Sequence, residues 1–395
     1  MLIIRTDSDT IVDMEYTRKL NLPELLKKKS FFLFGPRSTG KTYLINHQLK
    51  DNTLILDLLR GDLFLRLSSD PSELGPIIDA GLGAKSAVVI DEVQRVPALL
   101  NEVHRLIEEK KIRFLLTGSS ARKLKKDHAN LLAGRAWKAE LFPLTFSEIP
   151  RFKLDRYLMY GGLPQVYPSA HPEEELDAYV NTYLKEEVQA EGLIRKLPPF
   201  IRFLKTAALS NGNILNFSEV ASDAQIPPST VREYYSILVD TLVGFMLEPW
   251  TKSKKRKAIQ TAKFYFFDTG VANALAGVRH LDRNSNTYGN SFEQFIGMEI
   301  RAYLSYARIK DLLTFWRTTH GFEVDYLIGN HTAIEVKASR KVSPRHSKGL
   351  KALKEEGVFK KLYLVTHDKI STKSGGIHAV HWEDFLKRLW EGKIV

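Results

Sequence analysis

Ser30-Phe-Phe-Leu-Phe34 runs straight into Gly35-Pro36-Arg37-Ser38-Thr39-Gly40-Lys41-Thr42, and Tyr43 to Leu49 continues with helical character. A short apolar run reads as a buried strand. Followed by G-x-x-x-x-G-K-[ST] and a helix, it has the strand, loop and helix order of a phosphate-binding loop. Gly35 and Gly40 let the backbone approach phosphate closely, and amides at the helix start point at the anion. Lys41 is expected to reach the β and γ phosphates and the Thr42 hydroxyl to ligate Mg²⁺, with Pro36, Arg37, Ser38 and Thr39 completing the cradle. The expectation is an α/β unit with a mostly parallel sheet that takes ATP and Mg²⁺.

About fifty residues later Ala87-Val-Val-Ile90 forms another strand-like run, ending in Asp91-Glu92. A carboxylate pair there suits a Walker B site: Asp91 holds the metal through water, and Glu92 polarises the attacking water as general base. The next run, Arg113-Phe-Leu-Leu116, ends in Thr117-Gly-Ser119-Ser120. Thr117 and Ser119 are candidates for sensing the γ-phosphate, although the same residues would also make a helix-capping turn.

Further along lie Leu131-Leu-Ala-Gly-Arg135 and Pro143-Leu-Thr-Phe-Ser-Glu148. With the two Walker motifs and Thr117-Gly-Ser-Ser120, they make the chain resemble the bacterial and archaeal AAA+-type predicted ATPases that carry a C-terminal domain of uncharacterised function. The resemblance implies an ATPase and makes Arg135 the candidate arginine finger or sensor, acting in cis or from a neighbouring subunit of a homo-oligomer. An ordinary surface arginine explains Arg135 equally well.

Composition agrees with several domains: 395 residues, 44% hydrophobic, exceed one ordinary core. No run approaches the roughly 18–20 apolar residues of a membrane span, and the start lacks a signal-peptide pattern. A cytoplasmic protein without membrane partners is therefore expected. Cysteine is absent, which excludes disulfides and thiolate metal sites. The net charge of +12 is unevenly spread, with +9 falling in residues 251–350. Such a patch favours nucleic acid, most simply DNA, as partner.

The expected division is 1–150 for the ATPase unit, 151–210 for a helical connector or lid, 211–275 for a winged-helix-like unit and 280–395 for a C-terminal α/β unit. Asn216 to Gln225 reads as a short helix and Thr230-Val-Arg-Glu233 as the capping box of a longer one. Strands at Phe245 to Trp250 and Lys263 to Phe267 would follow, joined by a basic wing, Thr251 to Lys257. A DNA-reading version would use Ser229, Thr230 and Arg232 in the groove, with Lys254, Lys255, Arg256 and Lys257 on phosphate. The same pattern also serves protein packing.

From Ser291 the order is helix, three strands, helix, strand. Asp325 lies on the second strand, with Glu335 and Lys337 on the third. Side chains alternate along a strand, so Glu335 and Lys337 share a face where Asp325 can meet them. Asp325 and Glu335 can hold a divalent metal, and Lys337 can stabilise a phosphorane-like transition state. This resembles the PD-(D/E)XK nuclease fold, or restriction-endonuclease-like α/β fold, over about ninety positions, and the resemblance gives Glu293 the place of the first-helix acid. The proline that often precedes the aspartate is replaced by Glu323-Val-Asp325. Two functions remain open: ATP hydrolysis coupled to DNA binding and metal-dependent cutting, or a regulatory ATPase whose C-terminal unit binds nucleic acid or protein without cutting.

Overall fold

The computed structural model describes residues 3–5, 11–13, 16–118, 132, 134–183 and 197–395. A hairpin, Ile3–Arg5 (β1) with Ile11–Asp13 (β2), precedes the first sheet. That sheet holds Ser30–Phe34 (β3), Thr53–Asp57 (β4), Ala87–Asp91 (β5), Arg113–Gly118 (β6) and Ala136–Glu140 (β7). Its order is β4-β5-β6-β3-β7 and every pairing is parallel. Alternate residues bury into opposite layers: Phe32, Phe34, Val88 and Ile90 in one core, Phe31, Leu33, Ala87 and Val89 in the other. Burial on both faces explains why these strands read as continuous apolar runs. Because β6 lies between β3 and β5, its C-terminal end sits between the phosphate loop and Asp91.

The second sheet has eight strands: Gly244–Pro249 (β8), Lys263–Phe266 (β9), Leu313–Arg317 (β10), Glu323–Ile328 (β11), Thr332–Lys337 (β12), Lys361–Thr366 (β13), Thr372–Ser374 (β14) and Ile377–His381 (β15). The order is β14-β15-β13-β12-β11-β10-β8-β9. β8 pairs antiparallel with β9 and parallel with β10, so the two strands expected of a winged helix extend the C-terminal sheet. The helices Phe217–Ala224 and Pro228–Asp240 pack over β9 through Tyr235, Phe264 and Phe266. The second helix begins at Pro228, with no side-chain cap at Pro227. The expected capping box at Thr230 therefore does not form: proline, which needs no backbone donor in the first turn, starts the helix two residues earlier.

The tip between β8 and β9 does not project as a wing. Ser253 Oγ and the Lys254 and Lys255 amides donate to the Glu356 carboxylate, and Arg256 reaches Ala352 O and Glu355 beyond the helix Lys348–Lys354. One acidic residue collects three donors and ties the basic run down.

The helix Asn286–Tyr306 is the central pillar, beginning five residues before the sequence suggests because Ser285 caps it through Tyr288 N. It joins the two sheets. Arg301 pairs with Glu140 of β7 at 2.7 Å, and Tyr306 Oη accepts from Phe142 N at 3.1 Å. A single apolar cluster runs from Phe142 and Leu144 through Phe245 to Phe295, Tyr326 and Trp382. Among the described residues no helix is long and apolar enough to cross a membrane.

Candidate functional sites

The phosphate loop is shaped by its glycines. A Cβ on Gly35 would stand 2.6 Å from Leu141 O, and Gly40 sits at φ +90° as it opens the helix Lys41–Leu49. Lys41 Nζ donates to Gly35 O at 2.7 Å and Pro36 O at 3.1 Å, while Thr39 Oγ1 donates to Pro36 O. Arg37 and Ser38 are half-exposed on the loop, with Ser38 in the left-handed region at φ 62°.

Thr42 Oγ1 donates to Asp91 Oδ2 at 2.9 Å, and Thr117 Oγ1 donates to Asp91 Oδ1. The Thr117 oxygen also accepts the Glu92 amide at 2.9 Å. Glu92 turns at φ 59°, and its carboxylate accepts from Gln94 Nε2. Thr42, Asp91, Thr117 and Glu92 thus form one hydrogen-bonded chain. A hydroxyl and a carboxylate in contact are hard oxygen donors of the kind Mg²⁺ prefers, so these residues fit the expected metal. Thr117 is fully buried and donates its hydroxyl to Asp91. Ser119 lies outside the described residues.

Arg135 is corrected more sharply. β7 runs parallel to β3 with Ala136 beside Ser30, whereas the phosphate loop leaves β3 at Phe34. A five-residue strand at about 3.3 Å per residue leaves Arg135 roughly 15 Å from that end, against Glu108. A role on its own chain's nucleotide is excluded by this register.

Arg18 gave no signal in the sequence, standing outside every motif, yet it braces the loop. Its guanidinium, buried with Glu148, lies 3.1 Å from that carboxylate and donates to Thr39 O at 2.8 Å and Phe142 O at 2.5 Å. It also reaches Tyr306 Oη at 3.4 Å, linking the phosphate loop to the central helix. Glu148 further accepts the Lys19 and Thr145 amides. On the helix Asn286–Tyr306, Glu299 accepts Phe146 N and Trp390 Nε1, each at 2.7 Å. Burial pushes the Glu299 carboxyl up to about 8.

The C-terminal residues Glu293, Asp325, Glu335 and Lys337 line one cavity of about 480 Å³. The β11–β12 register, with Tyr326 opposite Ile334, sets Asp325 beside Glu335. Asp325 Oδ2 accepts Val336 N at 2.7 Å, and Lys337 Nζ lies 2.7 Å from Glu335 and 3.6 Å from Asp325. Glu335 Oε2 is buried without a hydrogen-bond partner. Burial, with Glu293 nearby, pushes Asp325 up to about 6; burial and Asp325 together raise Glu335 well above its ordinary range.

Two residues of this cavity escape the sequence patterns. Lys263, buried on β9, sits 3.2 Å from Glu293 and 2.7 Å from Glu323, and Tyr265 Oη donates to Glu293 at 2.6 Å. Burial opposes charge on Lys263, but Glu293, Glu323 and Asp325 outweigh it and hold the ammonium above its usual range. A lysine opening the otherwise aromatic run Lys263-Phe-Tyr-Phe266 was the available signal. Among the described residues no group of three or more histidine, cysteine, aspartate or glutamate side chains is arranged to hold a metal. Asp325 and the unpaired Glu335 oxygen still suit Mg²⁺, which commonly takes one or two carboxylates and completes its shell with water and phosphate oxygens.

Ser229 and Arg232 are exposed at the start of the helix Pro228–Asp240, Thr230 half-exposed, and Arg232 covers the Phe217 ring at 4.2 Å. Lys254, Lys255 and Lys257 are exposed on the tied tip.

Residues 27–150 match the model of an AAA domain. The match agrees with the phosphate loop and the parallel sheet and supports ATP binding by this unit. Residues 151–282 and 288–385 match two domains of unknown function (DUF8612 and DUF4143). An uncharacterized protein of Mycobacterium tuberculosis is 28% identical over 334 residues, covering 81% of this chain and 72% of that protein. Another, of Methanocaldococcus jannaschii, is 24% identical over 339 residues, covering 77% and 73%. Among solved structures, the Aeropyrum pernix ORC1 protein in complex with DNA aligns at TM-score 0.26 and 12% identity, over 69% of this chain and 95% of that one. Lys263 and Tyr265 lie in the second matched region and the carboxylates of their cavity in the third, so that cavity is built jointly.

Proposed function

We propose that the chain is an ATP hydrolase whose AAA domain binds Mg-ATP through residues 35–42. The observation that carries the proposal is the continuous bonding of Thr42, Asp91, Thr117 and Glu92 beside a glycine-shaped loop. Magnesium, when bound, supplies charge neutralisation across the β and γ phosphates. Thr42 and Asp91 hold it, Lys41 adds positive charge to the phosphates, and Glu92 takes up the proton of the attacking water. Arg135 acts, if at all, on a neighbour's nucleotide, which makes a homo-oligomer part of this reading. The test is Glu92→Gln against wild type. Nucleotide binding should persist while turnover falls about 10²–10⁴-fold; turnover at the wild-type rate would sink the proposal.

A second reading concerns the C-terminal cavity and is favoured by the buried, unpaired Glu335 oxygen. Asp325 and Glu335 would share a divalent metal with a phosphodiester, as in PD-(D/E)XK nucleases, while Lys337 stabilises developing charge. Linear, circular and single-stranded DNA and RNA, incubated in Mg²⁺ or Mn²⁺ with and without ATP, test it against Asp325→Ala and Lys337→Ala. Cleavage lost in both variants supports cutting. No cleavage, or cleavage indifferent to both, leaves a regulatory ATPase with a non-cutting C-terminal module.

A further inference from the structure

A cleft of about 1660 Å³ is assigned by neither the motifs nor the matched families. Its walls come from the segment after the PLTFSE motif, the start of the helix Asn286–Tyr306 and the loops that follow β12 and β13. Glu293 and Lys337 line both this cleft and the acidic cavity, so the two spaces adjoin. Lys153, Arg283, Arg340 and Lys369 stand exposed along it. Of these, only Arg283 has a carboxylate partner, Asp155; Lys153, Arg340 and Lys369 have none among the described residues. Ser285 and Asn286 bring the amino end of a 21-residue helix to the same wall, adding partial positive charge. Tyr288 is buried beneath the cleft, the half-buried His367 ring stacks on Phe292 at 4.4 Å, and Ile370 is 71% exposed at the rim.

We infer that this cleft holds a nucleic-acid strand, with Lys153, Arg340 and Lys369 on its phosphates, leading the strand to the cavity of Asp325 and Glu335. A positively charged groove that tracks the phosphate backbone binds single-stranded nucleic acid without reading sequence. The cleft takes over the role expected of the tip 251–257, whose backbone and Arg256 are tied to Glu355 and Glu356. The inference rests on the phosphodiester reading only for where the strand leads; binding itself requires no cutting.

The test is fluorescence anisotropy of a labelled DNA strand with the full chain in EDTA, where metal-dependent cleavage is absent. Arg340→Glu/Lys369→Glu is compared with Lys254→Glu/Lys257→Glu, and unchanged ATP hydrolysis confirms that each variant folds. Losing two phosphate contacts should weaken binding at least tenfold and flatten the slope of log affinity against log salt by about 1.4. The tip variant should bind within about twofold of wild type, since distant rim charges act through a screened field. Unchanged affinity and slope in the cleft variant, or loss confined to the tip variant, overturns the inference. So does cleft-dependent binding of anionic lipid vesicles tighter than that of DNA. Binding lost in the cleft variant while wild type cuts nothing in Mg²⁺ refutes the nuclease reading and leaves this one standing.

Discussion

Replacing Arg18 with methionine tests how the phosphate loop is braced. The substitution keeps an unbranched apolar stem but removes the guanidinium that meets Glu148 at 3.1 Å, Thr39 O at 2.8 Å and Phe142 O at 2.5 Å. Breaking a buried pair by removing one partner costs roughly 3–5 kcal/mol, because the remaining charge stays buried. Glu148 keeps the Lys19 and Thr145 amides as donors, which favours the lower end. At about 2–4 °C per kcal/mol for a unit of this size, the first transition in scanning calorimetry should fall by roughly 6–20 °C. Adding Glu148→Gln should recover a large part of the loss, since it removes the stranded charge. The same single variant should weaken ATP binding, because Thr39 loses its brace. A fall below about 2 °C, or a double variant less stable than the single, would refute the account.

Thr117→Val removes the hydroxyl that joins Asp91 to Glu92; turnover should drop about 10–100-fold and stability should fall by about 1–3 kcal/mol, measured by steady-state ATP hydrolysis and calorimetry together. Glu299 should make stability fall with rising pH. Its folded carboxyl holds a proton to about 8 against 4.5 unfolded, so its contribution is complete below pH 4.5 and is lost progressively up to about pH 8. The loss amounts to roughly 5 kcal/mol at most, and urea titrations of Glu299→Gln across that range should show a flatter profile than wild type. Gly270→Ala should destabilise by several kcal/mol, or prevent folding, because its Cβ would stand 2.1 Å from the Tyr160 carbonyl, a backbone atom that cannot swing aside. Near-native melting of that variant would contradict the close approach.

Local patterns carried much of the site in the primary structure alone. Gly35 to Thr42 declares its geometry because the loop is contiguous and its glycines have no substitute of equal freedom. Asp91-Glu92 is legible because a strand buried on both faces can place two carboxylates only at its end. Alternation along β12 predicted that Glu335 and Lys337 share a face, and the strand register brings Asp325 to them. Arg18 and the cleft had no such signature: each takes its meaning from partners far along the chain, as Arg18 does from Glu148 and Tyr306. The cis role for Arg135 failed for the complementary reason. A motif gives order along the chain, but the parallel register of β7 with β3 decides which end of the sheet a residue occupies. Sequence by itself thus determined the contiguous phosphate loop, the strand-end acids and the alternation of the C-terminal centre, because backbone periodicity acts over a few residues. Only tertiary structure decided that β8 and β9 complete the C-terminal sheet, that the backbone of the basic tip is tied to Glu356 and that Lys153, Arg340 and Lys369 gather at a cleft, because strand pairing and charge compensation are settled between residues that no local spacing connects.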